Sequence, residues 1–368
     1  MISPLIWVAA AALVASLGTC VLLVMTQKWH GALSLDHDLD GVQKIHHDPV
    51  PRVGGLGLAL GLVVAAIGTH LTEKHAATII TGLLISAIPV FMAGLIEDIT
   101  KRVSVKTRLL ASFVSAGLAA WLVGARLLNL DMPLLDALIQ HPFISLAFTA
   151  FAVGGMTNAV NIIDGLNGLA SGSVVLMLAG LGAIAWLHND MVVMQLCLMG
   201  IAATAGFLLL NYPFGRIFLG DGGAYLAGFW TAECGVLLLL RNPEVSTWAV
   251  LLACVYPVWE TIFSMYRRHI VGGVSSGQPD VTHLHHLLLK HLPQKYLGRL
   301  GAPWLHHGIV SACIWGLVAG CQILAVVLNS KISLLVVSTA IFAAAYCALY
   351  RLFSEPEVDQ VPDSIAIR

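Results

Sequence analysis

A short run of amide and carboxylate side chains lies between two long apolar stretches of this chain. Its members recur at a spacing of three, which would put them on one face of a helix: Asn158, Asn161, Asp164 and Asn167. Such groups are costly to place in apolar surroundings. The run is therefore a candidate site. The structural alternative is a capped helix end that stops at Gly165.

Further polar clusters interrupt the apolar sequence. They are His46 to Gly55, Glu97-Asp98 with Lys101 and Arg102, Gly220-Asp221-Gly222-Gly223, and the long stretch from Arg267 to His307 that contains His283, His285 and His286. Carboxylates of this kind are the oxygen ligands that Mg²⁺ prefers. The glycines around Asp221 predict a flexible turn that lets backbone approach a phosphate.

The histidine cluster has two readings. Three closely spaced histidines could ligate zinc, but no HExxH helix and no cysteine partner accompanies them. Hydrogen bonding to a diphosphate is favoured. Glu233 and Glu260 lie inside apolar runs, where a buried acid is a functional candidate or a hydrogen-bonding group between helices, and for Glu233 we favour the second role.

Composition defines the class of protein. The 368 residues are 58% hydrophobic and 11% charged, with a mean hydropathy of +0.86, whereas soluble domains average about 25% charged residues. The chain is predicted to be an all-α polytopic membrane protein. Its net charge of -1 excludes a globally basic nucleic-acid binder. All seven cysteines lie in apolar runs and are interpreted as small buried hydrophobes.

Hydropathy predicts about eleven transmembrane helices, because each crossing needs roughly 20 apolar residues. The predicted spans are 2–25, 54–71, 77–96, 108–124, 142–160, 165–187, 191–212, 224–240, 247–266, 309–329 and 331–353. The first is interpreted as a retained span, since no cleavage site precedes Thr26. One membrane domain, 1–353, is expected, followed by an acidic, disordered cytoplasmic tail at 354–368.

Basic residues predict the orientation. With these spans, 15 of the 19 Lys and Arg residues fall on one side of the membrane, and only Lys74, Arg126, Arg241 and Lys331 fall on the other. The positive-inside rule then gives a periplasmic N-terminus and a cytoplasmic C-terminus. All the polar clusters fall on the cytoplasmic side, which predicts an active site at that face.

In their order and spacing these motifs resemble the polyprenyl-phosphate N-acetylhexosamine-1-phosphate transferases, glycosyltransferase family 4. The resemblance runs from the His/Pro/Gly-Gly loop to His286. Its most specific parts are NxxNxxDGxNGLA at 158–170 and the combination of GDG at 220–222 with HxHH at 283–286. The HxHH spacing resembles that of the WecA/TagO-like branch rather than that of the MraY branch. One departure is Glu97, where the family's acidic motif begins with Asp.

The resemblance implies transfer of an N-acetylhexosamine-1-phosphate from a UDP-sugar to undecaprenyl phosphate, with UMP as the other product. It implies Mg²⁺, with Mn²⁺ as a substitute, held by Asp221 and Asp164 and assisted by Asp98, with Glu97 ranked below. Asp98, Asp164, Asp221, His283 and His286 are the expected catalytic residues. The expected substrate-binding residues are Lys44, Arg52, Lys101, Asn158, Asn161, Asn167, His285, Arg267 and Arg268.

The expected setting is the bacterial inner membrane, in O-antigen or other cell-envelope glycan synthesis. The expected partners are undecaprenyl phosphate, a UDP-amino sugar and the bilayer, with no nucleic acid, and assembly as a homodimer is left open. A polytopic transporter and a zinc-dependent membrane enzyme are the alternatives. The transporter predicts polar groups near mid-bilayer rather than at one face.

Overall fold

The computed structural model describes residues 2–35, 50–268, 282–296 and 303–354, and these residues form helices joined by short loops, without a β-sheet. The helices are α1 Ile2–Met25, α2 Gln27–Ser34, α3 Gly55–Thr72, α4 Lys74–Thr100, α5 Val105–Leu122, α6 Pro133–Ile139, α7 Pro142–Ile162, α8 Leu169–Leu187, α9 Met191–Asn211, α10 Gly220–Arg241, α11 Thr247–Ala253, α12 Val255–Tyr266, α13 Leu284–Tyr296, α14 Pro303–Leu328 and α15 Ile332–Ser354. The all-α prediction is confirmed.

Within this part of the chain, ten single helices are long and apolar enough to cross a membrane, and α11 with α12 forms an eleventh span that bends by 78°. Hydropathy alone did not indicate the break at Cys254, because the sequence on both sides is apolar. The protein is a multi-pass membrane protein. The predicted disordered tail lies outside the described residues, except for Ser354, which ends α15.

The structure differs from the predicted segments at three places described here. The predicted sixth span included residues 165–168, which form a turn before α8, while α14 begins at Pro303, well before the predicted start at 309. The predicted flexible turn at Gly220 to Gly223 is the first turn of α10. Glycine spacing favoured a turn there, and the helix forms because a carboxylate from another helix caps its first amides, as the next subsection shows.

Polar contacts mark the two ends of the helix bundle. At one end, here called the distal end, Arg241 pairs with Asp190 at 2.7 Å, and Ser246 donates to Asp131 at 2.6 Å and to the Asn329 carbonyl at 2.8 Å. Burial would raise the pKa of Asp190, but hydrogen bonds from Arg241 and Asn242 outweigh it and lower that pKa. These contacts tie the distal ends of five spans together.

The opposite end, here called the site end, carries the predicted motifs. The α11–α12 pair begins at the distal end with Ser246 and reaches the site end, where Glu260 contacts His283. It therefore crosses the bundle despite its bend. With eleven crossings, the two ends of the described chain lie at opposite ends of the bundle. Which end faces the cytoplasm stays a prediction from the basic residues.

Helix α10 is the most enclosed of the described spans. Its first turn is approached closely by α4, because Gly94 has no side chain: a Cβ there would lie 2.5 Å from the Gly222 nitrogen. This contact brings the last turn of α4, with its acids, beside the start of α10. Close helix packing through small residues is typical of membrane proteins.

Gly94→Ala should therefore disturb the site. The added methyl group must push α4 from α10, at a cost of about 1–3 kcal/mol, so we expect a lower melting temperature in detergent and a larger loss of activity. Gly117→Ala is the matched control, because no atom lies within 4 Å of a Cβ at that position of α5. Equal melting temperatures and activities for the two variants would contradict this account of the packing.

Candidate active site

Asp98 caps the N-terminus of α10. Its Oδ1 accepts the backbone N–H of Asp221 at 2.8 Å, and its Oδ2 accepts that of Gly222 at 2.9 Å. A helix N-terminus has amides without intrahelical partners and carries partial positive charge, so a carboxylate there is doubly favourable. Asp98 is buried, and its contacts fix where Asp221 stands.

Asp221 is held by two arginines. Nη2 of Arg52 donates to its Oδ1 at 2.8 Å, and Nη1 of Arg108 donates to its Oδ2. Nε of Arg52 also lies 3.2 Å from Oδ1 of Asp98. The amide of Asn161 donates to Oδ1 of Asp221 at 3.2 Å. The network combines strong, charge-assisted contacts from four separate parts of the chain.

Sequence reasoning missed Arg108 as a site residue. It lies in the first turn of α5, and its guanidinium group is 5.9 Å from the centre of the Tyr225 ring, which positions it by a cation–π contact. A basic residue at the start of a span is typical of headgroup anchoring. In the sequence analysis, Arg108 therefore contributed only to the predicted orientation of the protein. The available signal was its closeness in sequence to the acidic pair at the end of α4.

The turn between α7 and α8 carries Asp164. Burial raises the pKa of Asp164 to about 7; the positive charge of Arg52 opposes this shift, while the charges of Asp221 and Asp98 add to it. The four charged groups therefore act on one another electrostatically. Asp164 changes its protonation state near neutral pH, which is the range that suits a group shared between metal binding and proton exchange.

Asn167 holds this turn in place. Its side-chain amide donates to the Pro213 carbonyl at 2.9 Å, and its own carbonyl accepts the Ser311 hydroxyl at 2.8 Å. The next amide, of Gly168, donates to Asn211 at 2.6 Å. Asn167 is 2% exposed. In this structure its side chain serves the fold, while a contact with nucleotide stays a prediction.

The HxHH motif meets the Asp164 turn at Gly165. A Cβ on Gly165 would lie 2.7 Å from Nε2 of His285, so only glycine allows this approach. The His285 ring is fully buried and stacks parallel to that of His283, with centroids 5.4 Å apart. Burial lowers the pKa of His285 well below its usual range, and His286 and His283 add to that shift. His285 is thus neutral.

The remaining predicted residues are distributed as follows. Lys101 is exposed at the end of α4, with a φ of 56°. The amide of Asn158 donates to Gly154 in its own helix at 2.8 Å, and Glu97 accepts the Val103 amide at 2.7 Å.

Arg267 and Arg268 directly follow α12 at the site end of the bundle. Arg267 donates to the Thr282 hydroxyl and lies 5.7 Å from the Tyr350 ring centre. Arg268 is half-buried. Lys44 lies outside the described residues.

The described carboxylates offer a limited set of metal ligands. No three His, Cys, Asp or Glu side chains within the described ranges are grouped for coordination, so neither a three-histidine zinc set nor a set of three carboxylates is formed there. Asp98 uses both oxygens on backbone amides. Asp221 and Asp164 remain as donors. Two carboxylates, with substrate phosphates and water as the remaining ligands, fit a Mg²⁺ site. They do not fit a closed zinc site, which takes four protein ligands.

The central part of the chain is similar in sequence to a known family. The family model "Glycosyl transferase family 4" matches residues 80–239, the segment that supplies Asp98, Arg108, Asp164 and Asp221. This segment of a multi-pass membrane protein is therefore similar to glycosyl transferases of that family.

Three relatives illustrate the similarity. A probable undecaprenyl-phosphate N-acetylglucosaminyl 1-phosphate transferase of Bacillus subtilis (strain 168) is 28% identical over 252 residues, 67% of this chain and 68% of the relative. An undecaprenyl-phosphate alpha-N-acetylglucosaminyl 1-phosphate transferase of Yersinia pestis is 29% identical over 277 residues, 69% of each chain. A putative UDP-N-acetylglucosamine–dolichyl-phosphate N-acetylglucosaminephosphotransferase of Saccharolobus solfataricus is 27% identical over 243 residues, which are 65% of this chain and 72% of the relative. The chain is similar over about two thirds of its length to polyprenyl-phosphate N-acetylhexosamine-1-phosphate transferases.

Asp98→Asn should inactivate the enzyme without unfolding it. An asparagine can accept one of the two backbone N–H groups, but its NH₂ group faces the other, so Asp221 shifts and we expect transfer to fall about 10²- to 10³-fold. Activity per folded molecule, with a melting curve in detergent, measures this. Glu97→Gln is the neighbouring control and should keep most activity, since the amide oxygen still accepts from Val103. An Asp98→Asn enzyme of wild-type activity would remove Asp98 from this role.

Proposed function

We propose that this protein transfers an N-acetylhexosamine-1-phosphate from a UDP-sugar to undecaprenyl phosphate, giving undecaprenyl-diphospho-sugar and UMP. The observation that carries the proposal is the buried network of Asp98, Asp221, Arg52 and Arg108 at one end of the bundle. The relatives' names supply the substrates. UDP-N-acetylglucosamine is the first donor to test, and UDP-FucNAc and UDP-QuiNAc are the competing amino-sugar donors.

The reaction brings two anions together at a membrane surface. An oxygen of the lipid phosphate attacks the β-phosphorus of the UDP-sugar, the bond from that phosphorus to the bridging oxygen breaks, and the electron pair leaves with UMP. A lipid phosphate is already largely ionised near neutral pH, so no strong base is required. Both oxygens of Asp98 accept backbone hydrogen bonds, which supports direct attack over a phosphoryl group carried by that residue.

Each part of the site has a task in this reaction. Arg52 and Arg108 can exchange contacts with Asp221 for phosphate oxygens, because guanidinium groups match both partners. Asp221 and Asp164 would hold Mg²⁺, which when bound neutralises the diphosphate and improves UMP as a leaving group. His283 and His286 are the proposed contacts to the diphosphate.

We place the site end at the cytoplasmic face of the bacterial inner membrane, where UDP-sugars are available, and this orientation rests on the distribution of basic residues. A role in starting O-antigen or another envelope glycan follows from the proposed lipid-linked product. Homodimer assembly stays a prediction.

The direct test uses the full-length protein purified in lipid nanodiscs. With undecaprenyl phosphate, Mg²⁺ and a panel of UDP-amino sugars, we expect UMP release that requires the lipid and stops with EDTA. The donor that gives the highest kcat/KM identifies the sugar. Asp221→Asn should abolish release with every donor. Folded protein that releases no UMP from any donor would sink the proposal and favour the transporter.

Metal affinity should depend on pH. Because the pKa of Asp164 is raised to about 7, a proton occupies this carboxylate below that pH and competes with the cation, so affinity rises as pH increases through 7. From pH 6 to pH 8 one competing proton gives about a tenfold change. Mn²⁺ binding followed by electron paramagnetic resonance measures it without turnover. Asp164→Asn should flatten the dependence, and an equally steep dependence in that variant would exclude Asp164 as its source.

A further inference from the structure

The break at Cys254 creates a separate short helix that ends at the site. α12 leaves the break at Val255 and carries Pro257 in its first turn, a position where the missing N–H of proline is tolerated. Glu260 follows within the next turn and is 1% exposed. The bend of 78° therefore aims a buried acid at the histidine motif.

Glu260 makes two contacts at the start of α13. Its Oε1 lies 2.9 Å from Nδ1 of His283 and 3.4 Å from the backbone nitrogen of Leu284. Because the same oxygen accepts the Leu284 N–H, it is a hydrogen-bond acceptor. The proton between this oxygen and the imidazole of His283 is therefore on Nδ1. One carboxylate thus fixes both the ring of His283 and the first turn of its helix.

We propose that Glu260 is a positioning residue for the transfer reaction: it orients His283 and holds it in the Nδ1-protonated tautomer, so that its chemistry toward the diphosphate goes through Nε2. The proposal rests on the proposed function for its substrate. A histidine whose second nitrogen is set by a carboxylate is a recurrent arrangement, because the bond decides which nitrogen carries the proton.

Two further observations make the contact more than packing. The ring of His283 is parallel to that of His285 within 4°, and His285 contacts Gly165 beside Asp164. Rotation of His283 would therefore displace the histidines from the acidic turn.

Aromatic contacts hold the Glu260 side of α12, because Phe263 lies one helical turn after Glu260. Phe263 packs edge-on against Tyr346 at 5.3 Å and Tyr350 at 4.7 Å. These contacts with α15 therefore fix the part of α12 that carries Glu260.

A double-mutant cycle tests the proposal with the full chain in nanodiscs. Glu260→Leu should lower kcat about 10- to 100-fold, with a smaller change in KM for the UDP-sugar. Glu260→Gln should fall between, because its amide oxygen still accepts from Nδ1. The double variant Glu260→Leu/His283→Gln should be no slower than His283→Gln alone, since Glu260 acts through His283.

The matched control is Glu233→Leu. Glu233 is another fully buried acid in a span, but it lies in the distal half of α10. We expect this variant to keep wild-type kcat. Wild-type kcat in Glu260→Leu, or a Glu260→Leu effect that is as large in the His283→Gln background as in the wild type, would overturn the proposal.

A second readout separates this inference from the proposed function. In protein labelled with ¹⁵N-histidine, the signal that disappears in His283→Gln should report an Nδ1-protonated ring, and Glu260→Leu should shift it. This measurement needs no turnover. If the wild type releases no UMP, the proposed function fails, and an unchanged His283 signal in Glu260→Leu overturns the positioning role on its own.

Discussion

Two backbone N–H groups at the start of α10 donate to one carboxylate, and the site is built outward from that contact. Asp98 comes from the end of α4, so the cap joins two spans at the membrane surface and sets the position of Asp221. The cap requires close approach of the helices, which Gly94 permits. Packing and chemistry are therefore coupled at this point: a change in the distance between α4 and α10 is also a change in the geometry of the carboxylates.

The charge of this network sets a condition for binding the two anionic substrates of the proposed reaction. Three carboxylates, Asp98, Asp164 and Asp221, outnumber the guanidinium groups of Arg52 and Arg108, and they are largely removed from water. In a region of low dielectric such an excess is costly, and hydrogen bonds to both oxygens of Asp98 and of Asp221 offset part of that cost. A diphosphate entering the site adds further negative charge. In the proposed reaction, the arginines and a divalent cation would supply the compensation.

Much of the fold could be predicted from sequence, because hydropathy and basic residues report directly on crossing a bilayer. The gathering of polar motifs at one end of the bundle followed from the count of spans. The roles of individual side chains did not follow. Asn167 was predicted to bind substrate or to order the carboxylates, and the sequence did not indicate that its amide binds the Pro213 carbonyl, a partner 46 residues away. Arg108 was hidden because an arginine beside a headgroup and an arginine beside a carboxylate look the same in sequence. The break at Cys254 leaves no signal in hydropathy.

The hydrogen bond between Arg267 and Thr282 joins the last residues of α12 to the residue before His283. Glu260 and His283 form a separate contact between the same two parts of the chain. The end of α12 and the residues before α13 are therefore fastened to each other at two points. A force that separates them must break both contacts, so the acid and the histidine move as one unit.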